Sequence, residues 1–203
     1  MPPKISFTRD MIIHAAAELV RKEGIEKLNA RNVAKAIGGS TQPIYRVFRS
    51  IDELEEAVIE KLTPIALRYM LDEADEESVF LSIGLGFLKF SREEPKIFDL
   101  LFVKGKKKWI FSRKNPSLGP LMKKMRRDFF LKDMSEQSLM SLFRDMFIYS
   151  LGLCMQKSID IDRTNAAGER KLLHDVGGQL IAMALIREKN PGALEEMKRS
   201  FMS

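Results

Sequence analysis

Cysteine is almost missing from this chain: Cys154 stands alone, and only two histidines, His14 and His174, accompany it. A single cysteine closes no internal disulfide, and with two histidines far apart in sequence it completes no zinc site at any familiar spacing. Inside an apolar stretch Cys154 reads as a small core residue rather than a redox sensor. The sequence also lacks a P-loop, a G-x-S-x-G turn and an H-E-x-x-H pair, so no enzymatic activity and no cofactor are expected. Lys, Arg, Asp or Glu interrupts every apolar run before 18 residues, which argues against a membrane span. No basic start, apolar run and small-residue cleavage site appear in sequence, and the expected location is the cytoplasm.

Charge is present but unevenly placed. Residues 1–50 carry nine Lys or Arg against four acids, almost the whole of the chain's net +6. Residues 51–77 reverse this, with ten acids opposed only by Lys61 and Arg68. From Lys104 to Arg127 the balance turns again, with ten basic residues and no acid, and with Trp109 and Phe111 among them. Such a run is ordinarily a solvated face. The alternatives are an anionic ligand or an auxiliary contact with DNA or another macromolecule.

β-branched alternation is scarce, and apolar residues recur at spacings of three and four, which predicts an all-α protein. Thr8 to about Lys22 forms the first helix, with Met11, Ile12, Ala15, Ala16, Leu19 and Val20 facing inward and Gly24 as its stop. Asn29 caps a second helix through about Ile37, ended by Gly38 and Gly39. Ser40 is expected to cap a third, Thr41 to about Phe48, with Pro43 in its first turn where a missing N–H is harmless. Ser50-Ile51-Asp52-Glu53 is an S-x-x-E capping box that opens a fourth helix, which Pro64 could bend. Proline and the Asp160–Asn165 stretch divide the remainder into roughly seven helices. Two of these are long, at about 135–157 and 166–188.

Helix, Gly-Gly turn and helix between Asn29 and Phe48 have the proportions of a DNA-reading helix-turn-helix, whose second helix enters the major groove. Thr41, Gln42 and Arg46 carry groups suited to base edges, and Tyr45 and Arg49 could reach the phosphate backbone. The start of the third helix presents free N–H groups toward phosphate. The same spacing also fits an αα-hairpin used only for packing, or a helical ligand-binding or adaptor protein that makes protein contacts there.

Thr8-Arg9 leading into a helix, Ala15, Gly24, the Val33-Ala34 pair and Gly38 are all present. Ile44-Tyr45-Arg46-Val47-Phe48 follows, then Ser50 and Asp52-Glu53-Leu54. This pattern, over about residues 8–58, resembles the N-terminal signature of the TetR family. The resemblance implies a three-helix DNA-binding domain at 1–50. It further implies a larger helical domain at 51–203 that binds a small-molecule effector and forms a homodimer through the last two long helices. It places Thr8, Asn29, Arg31, Ser40, Thr41, Gln42, Pro43, Tyr45, Arg46 and Arg49 at double-stranded DNA. Two positions depart from the family: Ile51 stands where many members carry lysine, and Pro43 occupies a place where others often have a hydrogen-bond donor. Pro43 could instead touch a thymine methyl.

The two long helices allow such a dimer. Leu139, Leu142, Phe143, Met146, Phe147, Leu151, Leu153 and Met155 make the first apolar on more than one face. The second carries Leu172, Leu173, Val176, Leu180, Ile181, Met183 and Ala184, with Gly177 and Gly178 suggesting close helix approach. Filling the core of one chain is the alternative use of both. For an apolar effector pocket the candidates are Phe87, Phe90, Phe98, Phe102, Trp109, Met122, Met125, Phe129, Phe143, Met146 and Tyr149, with Phe111 beside them. Ordinary core packing accounts for such side chains equally well.

Overall fold

Most helix stops and starts in the N-terminal segment are where the sequence places them. The computed structural model describes residues 7–72, 78–104, 118–158 and 166–190, with 192 and 199, and among these no strand occurs. Helix α1 (Arg9–Glu23) begins where the Met11 N–H donates to Thr8 Oγ1 at 3.3 Å. It ends at Gly24, whose φ of +94° few other residues tolerate. A short 3-10 turn, Ile25–Lys27, leads to α2 (Ala30–Ala36), capped by the Asn32 N–H donating to Asn29 Oδ1 at 2.9 Å.

The end of α2 is a Schellman motif. The Gly39 N–H donates to the Ala34 carbonyl at 2.9 Å and the Gly38 N–H to the Lys35 carbonyl at 3.1 Å, with Gly38 left-handed at φ +67°. Helix α3 (Gln42–Val47) follows, and here one expectation fails: Thr41, not Ser40, occupies the cap position, and it makes no side-chain capping bond. Thr41 already has helical dihedrals (φ −73°, ψ −17°), so its hydroxyl is not turned back over the first turn as an extended cap residue's would be.

Helix α4 (Ile51–Asp72) opens with the capping box in altered form. The Glu53 N–H donates to Ser50 Oγ at 3.2 Å, while the Glu53 carboxylate accepts from the Arg49 N–H at 2.8 Å, one residue earlier than in the usual box. The helix continues through Pro64.

Helix α5 (Val79–Glu93) is followed by α6 (Pro95–Phe98) and a π turn, Asp99–Val103. Then come α7 (Leu118–Met125), α8 (Glu136–Ser158) and α9 (Ala166–Lys189). The last two match the expected long helices within a residue or two.

Packing groups these elements into two compact units. Among the described residues, one unit holds 7–67 and 90–104, and the other holds 68–72, 78–89, 118–158 and 166–190. The first is wider than the 1–50 segment delimited from sequence, because α1 also packs on α6. The guanidinium of Arg21 on α1 grips the buried Glu94 carboxylate with two nitrogens, Nε donating at 2.9 Å. Bidentate pairs of this kind fix orientation as well as proximity.

The core of the first unit is Ile12, Ile13, Ala16, Ala17, Val20, Val33, Ala34, Ile44, Phe48, Leu54 and Val58, all buried. Each large apolar side chain removed from water here contributes about 1.5–3 kcal/mol. The inward face of α1 differs from the expected one: Met11 is 46% exposed, Ala15 and Leu19 are half-buried, and Ile13 and Ala17 are inside. Two apolar stripes coexist on α1, and the neighbours α2 and α6 decide which is covered.

In the second unit, helix ends are closed by side chains distant in sequence. The buried Lys124 ammonium donates to the Met70 and Leu71 carbonyls at 3.0 and 2.9 Å, capping the C-terminus of α4. The buried Asp128 carboxylate accepts from the Phe80 N–H and the Ser78 hydroxyl at 3.2 and 3.3 Å, at the start of α5. Within the chain, close helix approach occurs at Gly86. A Cβ there would lie 2.8 Å from the Tyr69 carbonyl carbon and 2.9 Å from the Met70 Cα. At Gly178 a Cβ would meet nothing within 4 Å, and at Gly177 only the Met146 methyl at 3.5 Å.

Candidate DNA interface

Helix α3 is short and is held from beneath. Ile44 and Phe48, four residues apart, are both buried in the first unit's core, so α3 turns its remaining residues outward. Gln42 and Arg46 are exposed, Tyr45 is 57% exposed, and Thr41 and Pro43 are half-buried. A largely uncovered tyrosine on a helix otherwise anchored in a core offers a flat apolar ring and a hydroxyl at the surface. Ser40 and Arg49, flanking α3, are exposed as well.

Arg31 is exposed on α2, and Asn29 precedes it. The side chain of Asn29 is largely engaged within the fold: its oxygen accepts from Asn32 and its nitrogen donates to the Lys27 carbonyl at 3.3 Å. Thr8 likewise accepts from Met11, which leaves its hydroxyl proton to donate elsewhere. Arg9 lies with its guanidinium carbon 4.9 Å from the centroid of the Phe48 ring, an attractive cation–π geometry that joins the start of α1 to the end of α3. Sequence reasoning did not single out that contact, since nothing local relates the two positions.

Every basic residue between Arg9 and Arg49 is exposed, so the positive charge of the N-terminal segment is displayed at the surface. Lys4 lies outside the described residues.

A family model for bacterial regulatory proteins of the tetR family matches residues 12–58, from the second turn of α1 into the second turn of α4. The chain carries a TetR-family DNA-binding domain. Over 108 residues it is also 25% identical to a Bacillus subtilis (strain 168) protein named as an uncharacterized HTH-type transcriptional regulator, YobS. That alignment covers 51% of this chain and 56% of the relative, so the chain spans little more than half of that relative's length. The match contains Asn29, Arg31 and the whole run from Ser40 to Arg49. The described residues are all-α, and the matched segment 12–58 is a DNA-binding domain of the regulator type. Among the described residues no helix is long and apolar enough to cross a membrane, and no cluster of three His, Cys, Asp or Glu side chains could hold a metal ion.

The aromatic and methionine residues beyond this TetR-family domain do not gather in one place. Phe90, Phe98 and Phe102 form a cluster in the first unit, with ring centroids 5.4 to 6.2 Å apart. Phe87, Phe143 and Met146 line a small apolar space in the second unit with Phe80, Ile83 and Phe147. Its volume is about 10 Å³, the room needed by one water molecule rather than an organic ligand.

A larger groove of about 370 Å³ lies beside the same core, between the start of α5, residues 127–130 and α9, and Phe129, Met146 and His174 line it. Phe129 is 74% exposed. Met125 is fully buried and Met122 half-buried. Burial, followed by the charge of Asp175, raises the pKa of the half-buried Tyr149 hydroxyl. Trp109, Phe111 and five of the ten basic residues from Lys104 to Arg127 lie outside the described residues. Two of the run's described members are structural: Lys124 caps α4, and Arg126 donates to the Lys132 and Met134 carbonyls at 3.2 and 3.0 Å.

Proposed function

We propose that this regulator is a repressor that occupies a palindromic operator as a homodimer and leaves it when a small-molecule effector binds the larger helical domain. The observation that carries the dimer is the incomplete coverage of the two long helices. Of the apolar residues on α9 whose side chains are described, only Leu173 and Ala184 are buried; Leu180, Ile181 and Met183 are half-buried, and Ile186 is exposed. On α8, Ile148 is 58% exposed. Side chains of this kind, contiguous along helix surfaces, favour a second apolar partner over water. A two-fold dimer supplies the paired helix-turn-helix units that half-sites require.

The short α3 presents Thr41, Gln42, Pro43, Tyr45 and Arg46 to the major groove, with Arg31, Ser40 and Arg49 at phosphates and the Thr8 hydroxyl beside them. The effector need only prefer the conformation whose helix spacing misfits the operator. The groove lined by Phe129, Met146 and His174 is the larger candidate for its site. No catalytic step is involved, and the working location is the cytoplasm.

Selection of bound duplexes from random sequence with the full chain tests the reading. A palindromic consensus, bound with an affinity that falls steeply as salt rises, supports it. Selection of no sequence at all would refute it. Sedimentation of the free protein as a monomer at micromolar concentration would refute the dimer. In vitro transcription from a promoter carrying the selected site separates repression from activation.

A further inference from the structure

We infer that Phe7 is a positioning residue for DNA recognition, setting the angle at which the six-residue α3 is presented. The inference rests on the DNA-binding reading above.

The helix stop that precedes α3 is missing a part. In a Schellman motif the residue two past the C-cap ordinarily carries an apolar side chain that packs back on the last turn of the helix. In this chain that residue is Gly39, with no side chain to pack. Its place is taken from elsewhere: a Cβ built at Gly39 would lie 2.8 Å from Cε2 and 3.1 Å from Cζ of Phe7. The Phe7 ring, half-buried, therefore fills the volume that the motif's own side chain would occupy. Gly39 does not have the positive φ that would demand glycine, unlike Gly38. The close approach of Phe7 is what requires it.

The consequence falls on α3 because the covered turn leads directly into Ser40, Thr41 and Gln42. Six residues of helix are too few to orient themselves, and the Thr41 cap contributes no side-chain bond. Two residues later in the same entry segment, Arg9 sits over Phe48, the C-cap of α3. The segment just before and at the start of α1 thus holds both approaches to the recognition helix: Phe7 on the turn before it, Arg9 on the residue after it. Loss of the Phe7 ring leaves the core residues Ile44 and Phe48 in place, so the fold persists while the pitch of α3 loosens.

The test compares the full chain with Phe7→Ala, Phe7→Leu, Gly39→Ala and the Phe7→Ala/Gly39→Ala pair. Two probes are used: the duplex selected by the wild-type protein and a random-sequence duplex of equal length. Phe7→Ala is expected to bind the selected duplex about tenfold more weakly, comparable with one mismatched base pair, while binding to the random duplex changes less than about threefold. Phe7→Leu should recover most of the loss. Gly39→Ala should weaken selective binding in the wild-type background and add nothing in the Phe7→Ala background, because the ring it would strike is gone.

The inference is overturned if Phe7→Ala keeps wild-type selectivity, if both duplexes weaken equally, or if the two substitutions are additive. Melting curves run alongside identify a merely structural effect, which would lower the midpoint and both affinities together. Failure of the wild-type protein to select any duplex would instead refute the DNA-binding reading itself.

Discussion

Gly86→Ala is the substitution on which the packing of the second unit makes its sharpest claim. In an open helix interior, replacing glycine by alanine stabilises by up to about 1 kcal/mol, because alanine gives up less backbone entropy on folding. At Gly86 the added methyl would come within 2.8 Å of the Tyr69 carbonyl carbon and 2.9 Å of the Met70 Cα, and it would press on the Tyr69 carbonyl oxygen as well. All three are main-chain atoms of α4, which cannot rotate away as a side chain would. α4 and α5 must therefore separate along their contact, loosening Met70, Phe87 and Leu88, each no more than 4% exposed.

Overpacking of this sort costs about 1–3 kcal/mol, and contact with backbone belongs at the upper end, so the net loss after the propensity gain is about 2 kcal/mol. For a chain of this size that lowers the melting midpoint by about 4–8 °C. Urea and thermal unfolding followed by circular dichroism measure it, with Gly119→Ala as the reference, since a Cβ there meets nothing within 4 Å. A Gly86→Ala protein as stable as the wild type, or more stable, would refute the close crossing of α4 and α5.

Three further outcomes follow from named contacts. Tyr45→Ala should reduce affinity for the selected duplex about tenfold or more while leaving sedimentation unchanged, and equal affinity in a fluorescence titration would remove Tyr45 from the interface. Lys124→Met keeps the length of the side chain but abandons the Met70 and Leu71 carbonyls, and should cost about 1–3 kcal/mol in chemical denaturation. The hydrogen bond from Lys104 holds the Glu26 carboxyl below its ordinary pKa, and the same bond raises that of Lys104. A depressed carboxylate stabilises above its unfolded pKa, and that contribution disappears as pH falls through the folded value. Lys104→Gln should therefore return the Glu26 titration, followed by NMR, upward toward 4.5.

Much of the chain's architecture was legible before any coordinates. Thr8, Gly24, Asn29, Gly38, Ser50 and Glu53 mark helix ends through bonds that span three to five residues, and such bonds belong to the local sequence whatever surrounds them. The short helix α3 was legible in the local sequence too. What escaped were contacts between positions distant in sequence. The inward stripe of α1 was displaced, because Met11 and Ile13 are equally apolar and only the packing of α2 and α6 chooses between them. The candidate ligand residues divided between two units, since composition says that aromatics are abundant but not which of them meet.

By itself, then, the amino-acid sequence determined most of the helix ends, that the N-terminal surface is basic, and that a short exposed helix follows the Gly38-Gly39 turn, because these depend on backbone capping, periodicity and residue type. The tertiary structure decided the rest. It brought Phe7 onto Gly39, Arg21 onto Glu94, Lys124 onto the end of α4, and α4 against Gly86, since through-space approach depends on how helices cross and no spacing along the chain encodes that angle.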